Sequence, residues 1–360
     1  MAEFNADDFC FMSRAIELAK RGLYTTHPNP RVGCVLVKDN KIIAEGWHEK
    51  AGEAHAEIHA LKNAGANAKG ATAYVTLEPC CHQGRTPACS EALIQAGVIK
   101  VIAAMQDPHD KVAGQGIEQL QQAGIETAVG LLETEAQKLN PGFIKRMQTG
   151  RPYVCCKMAM SLDGRTAMAS GESEWITGDA ARADVQHWRA QADCIMTGIG
   201  TVMHDNPRMN VRLPQTEKQP LRVVVDSNLR MTADRKILVQ AGETLLFTCA
   251  TNADLNNAEV VTVASKQDRV DLEAVLVELG KREINEVHLE CGATLAGAML
   301  QAELIDELVI YMAPVLMGDT GRGLFHLPGL EKMADKISLD IFEQRQVGND
   351  WRLRAKIVNS

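Results

Sequence analysis

VGCVLVKDNKIIAEGWHEKAGEAHAEIHALKNAG, residues 32–65, decides the fold of the first half of the chain. VGCVLVK (32–38) and KIIAEGW (41–47) read as strands that meet at Asp39-Asn40, a pair suited to a tight hairpin turn. HAEIHALKNAG (55–65) then changes to helical spacing. Upstream, Asp7 or Asp8 can cap a helix that carries Phe9, Met12, Ile16 and Ala19 on one face and ends at Gly22. Downstream, ATAYVTL (71–77) reads as a buried strand, SEALIQAG (90–97) as a helix, VIAAM (101–105) as a strand and GQGIEQLQQAG (114–124) as a helix. Strands alternating with helices at this spacing predict a three-layer α/β domain. It ends near 145–150, where MQTGRP breaks the pattern.

The second half restarts with PYVCCKMAM (152–160), a strand running into the turn SLDG. A helix fits DAARADVQHWRAQA (179–192), and short strands follow at CIMTG, LRVVVD and TLLFT. VDLEAVLVELGKR (270–282) is helical, EVHLEC (286–291) a strand and ATLAGAML (293–300) a helix; ELVIYMAPVL (307–316) and RLRAKIV (352–358) are closing strands. The expectation is a second α/β domain with its own core, the two spanning 1–148 and 149–360. At 360 residues the chain suits two domains better than one.

Composition narrows the partners. A formal net charge of −8 argues against a nucleic-acid backbone, whose binding needs clustered Lys and Arg. No stretch approaches the roughly 20 unbroken apolar residues of a membrane span. The N-terminus, MAEFNADDFCFMSRAIELAKRG, is acidic and then amphipathic, unlike a secretory leader. Ten cysteines are then expected to be thiols, some of them metal ligands, in a cytoplasmic protein.

His55-Ala56-Glu57 offers a metal ligand followed by a carboxylate that can move protons without binding metal. Pro79-Cys80 and Cys89 offer two thiolates, completing the three-ligand set of a catalytic zinc site with one open position. H-x-E followed by P-C and a second cysteine is the grouping of zinc deaminases of nucleobases, except that eight residues, CHQGRTPA, separate the cysteines instead of two. Zinc there brings the pKa of water toward about 7. Glu57 is the expected proton shuttle from that water to the departing amine. Cys89 opens a helix, whose dipole favours a thiolate. Cys81 or His82 could add a fourth ligand to a purely structural site, and His59, four residues after His55, reads as structural.

HPNPRVGCVLV (27–37), GWHEKAGEAHAE (46–57), TLEPCCHQGRTPAC (76–89) and MSLDGRTA (160–167) follow in order. Together they make the chain resemble, over nearly its whole length, the RibD family of bacterial bifunctional riboflavin-biosynthesis enzymes. The resemblance implies a cytidine-deaminase-like α/β/α domain followed by a dihydrofolate-reductase-like α/β domain. It implies zinc-dependent deamination of 2,5-diamino-6-(5-phosphoribosylamino)pyrimidin-4(3H)-one and then NADPH-dependent reduction of the ribosyl side chain, giving 5-amino-6-(5-phosphoribitylamino)uracil. The long insert between the cysteines becomes a substrate loop, with His82 and Arg85 as contacts and Asn29 and His48 lining the same pocket.

For the reductase the resemblance carries over Ala159, Trp175, Thr201, Asp205 and Ser227 as nucleotide contacts. Gly292, Ala293, Thr294, Leu295, Ala296, Gly297 and Ala298 cradle the NADPH phosphates. That fits a small-residue turn at a helix N-terminus, which presents free N–H groups. Cys291 stands where the family has glycine. Lys157, Ser173, Arg189, Met209, Arg212 and Glu290 fall at substrate positions, and arginine forks suit a ribose phosphate. TGIGTV (197–202) has Met203 where a Rossmann fingerprint needs glycine, so that reading is rejected. A small phosphorylated pyrimidine as partner, a homo-oligomer, and neither nucleic acid nor membrane complete the expectation. The rival is a zinc deaminase of a nucleic-acid base with a C-terminal binding domain, disfavoured by the acidic charge and the lack of a basic, aromatic-interleaved tract.

Overall fold

The computed structural model describes residues 4–81, 88–109, 113–214, 216, 218–251 and 254–358. Its contacts divide the chain into two units, Met1–Gly150 and Arg151–Ser360. No described helix is long and apolar enough to cross a membrane.

The first unit runs α1 (Ala6–Ala19), β1 (Gly33–Lys38), β2 (Lys41–Trp47), α2 (Ala56–Ala64), β3 (Thr72–Val75), α3 (Cys89–Gln95), β4 (Lys100–Ala103), α4 (Gln115–Gln122), β5 (Glu126–Val129), α5 (Glu133–Gln137) and α6 (Pro141–Thr149). The sheet order is β2-β1-β3-β4-β5. β1 is antiparallel to both neighbours, whereas β3, β4 and β5 run parallel. Asp39 and Asn40 both take positive φ, as the tight hairpin requires. Met12, Leu18, Val35, Leu36, Leu93, Ile102 and Leu120 are buried in one apolar core around this sheet.

Three details differ from the sequence reading. The cap of α1 is Asn5, whose Oδ1 accepts from the amides of Asp7 and Asp8 while Asp8 accepts from the Asn5 amide. Asp8 is therefore the reciprocal partner of a capping box, three residues inside the helix. Phe9 is 44% exposed, and the inward stripe is Met12, Ala15, Ile16, Leu18 and Ala19. Finally, β5, α5 and α6 lie in a stretch whose pattern gave no element. Gly46 lets α2 lie directly on β2: a Cβ there would come within 2.3 Å of the Ala56 carbonyl oxygen. That close approach sets the height at which the first turn of α2 leaves the sheet.

The second unit begins with β6 (Tyr153–Ser161), β7 (Arg165–Ala167), α7 (Asp179–Gln191), β8 (Cys194–Gly198), α8 (Ile199–Asp205), β9 (Leu221–Val225), β10 (Thr244–Thr248) and β11 (Glu259–Thr262). The two-residue strands β12 (Ser265–Lys266) and β13 (Arg269–Val270) lead to α9 (Leu272–Lys281), β14 (Glu286–Glu290), α10 (Ala293–Gln301) and β15 (Glu307–Ala313). β16 (Arg322–Gly323), β17 (Ser338–Val347) and β18 (Asp350–Val358) complete it. β15 stops before Pro314, which has no N–H to extend the ladder, so the predicted strand to 316 is three residues too long. Nine strands form one sheet in the order β11-β10-β9-β8-β14-β6-β15-β18-β17. The first seven are parallel, and β18 and β17 close it antiparallel.

The two faces of this sheet differ in chemistry. Val154, Cys156, Met158, Val287, Leu289, Leu308 and Ile310 share an apolar face packed with Leu276 and Leu279 of α9 and Met299 and Leu300 of α10. The alternate residues, including Tyr153, Lys157, Glu286, His288, Glu290, Glu307 and Tyr311, point the other way, as the two-residue strand period demands. There α7 docks through a small apolar cluster, Ala181 and Val185 against Val309 and Tyr311, and through polar contacts around it. Asp184 accepts from Tyr311 Oη at 2.5 Å and Arg352 Nη1 at 2.7 Å, and Gln191 Nε2 donates to Glu286 at 3.2 Å. The guanidinium groups of Arg352 and Arg354 lie 5.5 and 5.0 Å from the centre of the Trp188 ring. Arg354 also donates to Glu307 at 2.6 and 3.1 Å.

Candidate active sites

In the first unit, His55 is the N-cap residue of α2, in extended conformation, and Glu57 lies buried in the first turn beyond it. Cys80 follows β3 in a loop, and Cys89 is the first residue of α3. One ligand atom from each of His55, Cys80 and Cys89 lies within 4.8 Å of the others. His55 Nδ1 is 3.3 Å from Cys89 Sγ and 3.5 Å from Cys80 Sγ. Two thiols and an imidazole converging at this spacing suit one zinc ion, and three protein donors leave a position open. Among the described residues this is the one group of His, Cys and acidic side chains able to hold a metal. Cys81 turns elsewhere, its Sγ 3.7 Å from Gln115 Oε1, and His59 is not among the converging atoms. His82 and Arg85 lie outside the described residues.

The electrostatics divide the two thiols. Cys80 is pushed down to about 4, first by the hydrogen bond from Cys89 and then by that with His55, while Cys89 is pushed far up by the same pairing with Cys80. The amide at the start of α3 points at Cys80 Sγ, 3.4 Å away, so the helix terminus also favours the thiolate of Cys80. Burial raises the Glu57 carboxyl to about 7.

Asn29 and His48 stand beside this group. Asn29 Nδ2 donates to His48 Nε2 at 3.1 Å, and His48 Nδ1 donates to the Ala54 carbonyl at 3.0 Å. With one nitrogen accepting and the other donating, the ring is neutral, in keeping with the downward pull of burial on its pKa. Its edge meets the His55 ring at a centroid distance of 5.4 Å. Glu78, unnoticed in the sequence, is buried and accepts from four amides: Asp107, Gly114, Gly116 and Ile117. It ties the loop around 107 and the start of α4 to the loop that leads to Cys80.

In the second unit, Glu290 ends β14 beside Lys157 of β6, its partner in register. Arg189 of α7 grips the Glu290 carboxylate with both arms of its fork, at 2.5 and 2.9 Å, and its third nitrogen donates to the Asn210 carbonyl at 3.0 Å. Burial opposes ionisation of Glu290, but Arg189 outweighs it and holds the carboxyl well below the usual range. Burial pushes the Lys157 ammonium and the Arg212 guanidinium down, and Arg212 also feels the charges of Arg189 and Arg208. The Arg212 amide donates to Gln186 and its side chain to Asn210, which holds the segment through the buried Met209 against α7. Lys157, Arg189, Arg212 and Glu290 are therefore within reach of one another's charges, whereas Met209 packs into the apolar cluster of Ile195, Ile199 and Val202.

Gly292 is the N-cap of α10, and a Cβ there would lie 3.8 Å from Thr201 Oγ1, so that hydroxyl stands beside the turn. Leu295 touches the end of β8 at Gly198. Thr294 is exposed and Ala298 half-buried, whereas Ala293 and Ala296 face the core. Gly297 packs against the chain: a Cβ would come within 2.0 Å of the His326 carbonyl oxygen. Ala159 pairs in register with Tyr311, and Asp205 ends α8 beside His204. Trp175 is 70% exposed under the Arg182 guanidinium, and Ser173 lies nearby in the same loop. Ser227 Oγ accepts from the Val270 amide, which joins the end of β9 to β13.

Two family models match. Residues 6–105 match the cytidine and deoxycytidylate deaminase zinc-binding region, and residues 152–353 match the RibD C-terminal domain. The chain is 51% identical over 359 residues to the riboflavin biosynthesis protein RibD of Escherichia coli, covering 95% of this chain and 97% of that one. The chain belongs to the RibD family.

Other RibD comparisons agree. The Haemophilus influenzae RibD protein is 49% identical, with 98% of each chain covered. The solved structure of Acinetobacter baumannii RibD superposes with a TM-score of 0.92 at 47% identity, covering 98% of this chain and 99% of that one. A Thermotoga maritima structure described as a diaminohydroxyphosphoribosylaminopyrimidine deaminase/5-amino-6-(5-phosphoribosylamino)uracil reductase gives 0.89 at 32% identity, with 98% and 99% covered. The chain is thus a bifunctional enzyme of riboflavin biosynthesis, a zinc-dependent deaminase joined to an NADPH-dependent reductase. Its folds are the cytidine-deaminase-like and dihydrofolate-reductase-like α/β folds of RibD. The rival nucleic-acid deaminase has no support, since the similarity to RibD runs through both units.

Proposed function

We propose that the first unit converts 2,5-diamino-6-(5-phosphoribosylamino)pyrimidin-4(3H)-one to the corresponding dione with release of ammonia. The second unit then reduces the ribosyl side chain to ribityl, giving 5-amino-6-(5-phosphoribitylamino)uracil. The observation that carries the first step is the convergence of His55, Cys80 and Cys89 beside the buried Glu57. These three residues would hold zinc, which would supply the Lewis acidity that makes water nucleophilic near neutral pH. Glu57 takes a proton from the attacking water and delivers it to the leaving amine, and a carboxyl raised to about 7 suits both halves of that task. Asn29, turned by its bond to the neutral His48, presents its amide oxygen to the pyrimidine edge. His82 and Arg85 bind the phosphorylated end of the same molecule.

In the reductase, bound NADPH would supply a hydride to the anomeric carbon, whose bond to the ring oxygen breaks as that oxygen takes a proton from water, and the chain's own task is to position the two reactants. Thr201, Gly292 and the exposed side of the first turn of α10 receive the dinucleotide, together with Ala159, Trp175, Asp205 and Ser227. Glu290, oriented by Arg189, faces the sugar together with Lys157, Ser173 and Met209. Arg212 engages the phosphate.

The protein works as a homo-oligomer in the cytoplasm. Leu339 and Ile341 of β17 are exposed on an edge strand, a surface that favours association, and the ten cysteines form no disulfide, in keeping with a reducing compartment. Light scattering of the purified protein tests the assembly, and a monomer at micromolar concentration refutes it. Incubating the protein with the diaminopyrimidine, with and without NADPH, and weighing the products tests the chemistry. The dione is expected without NADPH and the ribityl product only with it; unchanged substrate refutes the deaminase assignment.

A further inference from the structure

His288 has no part in the assignments above, although it is 1% exposed in the middle of β14. Its neighbours in register are Cys155 of β6 and Ile195 of β8, so an apolar side chain would suit the position. An imidazole there loses its hydration, and a buried polar atom without a partner costs about 1–3 kcal/mol. Nε2 is such an atom: it lies 3.1 Å from Glu290 Oε1, yet off the line that a hydrogen bond needs. The charges around the ring are Glu290 on its own strand, Arg189 on α7 and Lys157 on β6. A buried, unsatisfied nitrogen against a carboxylate at a reaction centre calls for a functional explanation.

We propose that His288 is a positioning residue for the reductase, holding the Glu290 carboxylate in the frame of the sheet. This rests on the reading that Glu290 faces the sugar. Arg189 grips both carboxylate oxygens, but it comes from α7, so its hold moves with the helix. His288 sits two residues back on the same strand and the same face as Glu290, at a fixed distance from its Cα. Its ring abuts Oε1, the oxygen already bonded by Arg189 Nε, and a small rotation of the ring aligns the N–H with that oxygen. Oε1 is then fixed from helix and strand together, leaving Oε2 as the less restrained oxygen toward the sugar. Misplacing a reacting group by about an ångström costs up to about a hundredfold in rate.

The test uses the full-length enzyme with 5-amino-6-(5-phosphoribosylamino)uracil and NADPH, and the deaminase rate as internal control. His288→Leu is expected to lower the reductase kcat roughly ten- to a hundredfold. Its KM for NADPH and its deaminase rate should stay unchanged, and its thermal midpoint should not fall. His288→Gln, whose amide nitrogen reaches the place of Nε2, is expected to recover most of the lost kcat. A wild-type kcat in His288→Leu overturns the proposal, as does an equal loss in both variants. Should His288→Leu not fold, nitrogen-15 histidine spectra of the wild type decide. Adding the uracil substrate should shift the His288 Nε2 resonance, and an unmoved resonance overturns the proposal. A wild-type enzyme with no reductase turnover sinks the underlying reading instead, and is seen before any variant is measured.

Discussion

Replacing Arg189 with methionine removes the charge from the most enclosed ion pair of the reductase site while keeping much of the side-chain volume. The partners are only 11% and 13% exposed, and Arg189 bonds both Glu290 oxygens at 2.5 and 2.9 Å. Removing one partner of such a pair strands a buried charge, which costs about 3–5 kcal/mol. In a unit of this size each kcal/mol moves the midpoint by about 2–4 °C, so the transition of the second unit should fall by roughly 6–20 °C. Calorimetry on the full-length protein reads this directly.

The pH dependence supplies a second check. In the wild type Glu290 is held below its ordinary value, so its contribution is fully present above the unfolded carboxyl pKa and is lost as pH falls through the depressed folded one. In Arg189→Met burial acts without its main counterweight and raises that pKa. The deficit against wild type should therefore shrink from pH 8 to pH 5. Arg189→Met combined with Glu290→Leu should recover most of the stability and none of the reductase activity. A drop of less than about 1 kcal/mol in the single variant would refute the argument, because that is the size of an exposed pair.

Glu57→Gln should retain zinc by elemental analysis and lose deamination by about a hundred- to ten-thousandfold, while NADPH oxidation with the deaminated substrate continues. Stripping zinc with a chelator should abolish deamination and leave the reductase rate unchanged; a parallel loss would show that the two sites are not chemically independent. Glu78→Gln cannot accept from all four amides that the carboxylate now satisfies, and unfolding of the first unit should become easier by about 1–3 kcal/mol in a denaturant titration.

The zinc cluster was legible because its residue types are rare in combination and short motifs carry them: His55 and Glu57 two residues apart, and Cys80 directly after a proline. The strand-helix alternation was legible for the same local reason. Elements read from periodicity alone fared less evenly. β5, ETAV, lacks the run of buried apolar residues that marks the equally short β3 and β4, and β17, SLDIFEQRQV, is exposed on both faces and has no alternation to read. The polar side of EVHLE suggests solvent, yet α7 covers it, and only the fold brings Arg189 and Gln191 over those residues. Glu78 was hidden for that reason, since the amides it serves are remote in sequence, and His288 because the strands that flank and bury it are remote. Asn5 was missed because the acidic residues two and three positions after it made equally good caps by composition.

The polar underside of α7 also bears on how this sequence can change over generations. An oily core tolerates drift one residue at a time, since one hydrophobic shape substitutes approximately for another. Here Arg354 serves Glu307 and Glu343, and Arg352 serves Asp184. Single replacements in this layer leave an orphaned charge, whereas matched replacements do not. Its residues should therefore be inherited in blocks, and a mutant library that varies them singly would mistake a replaceable set for an immutable one.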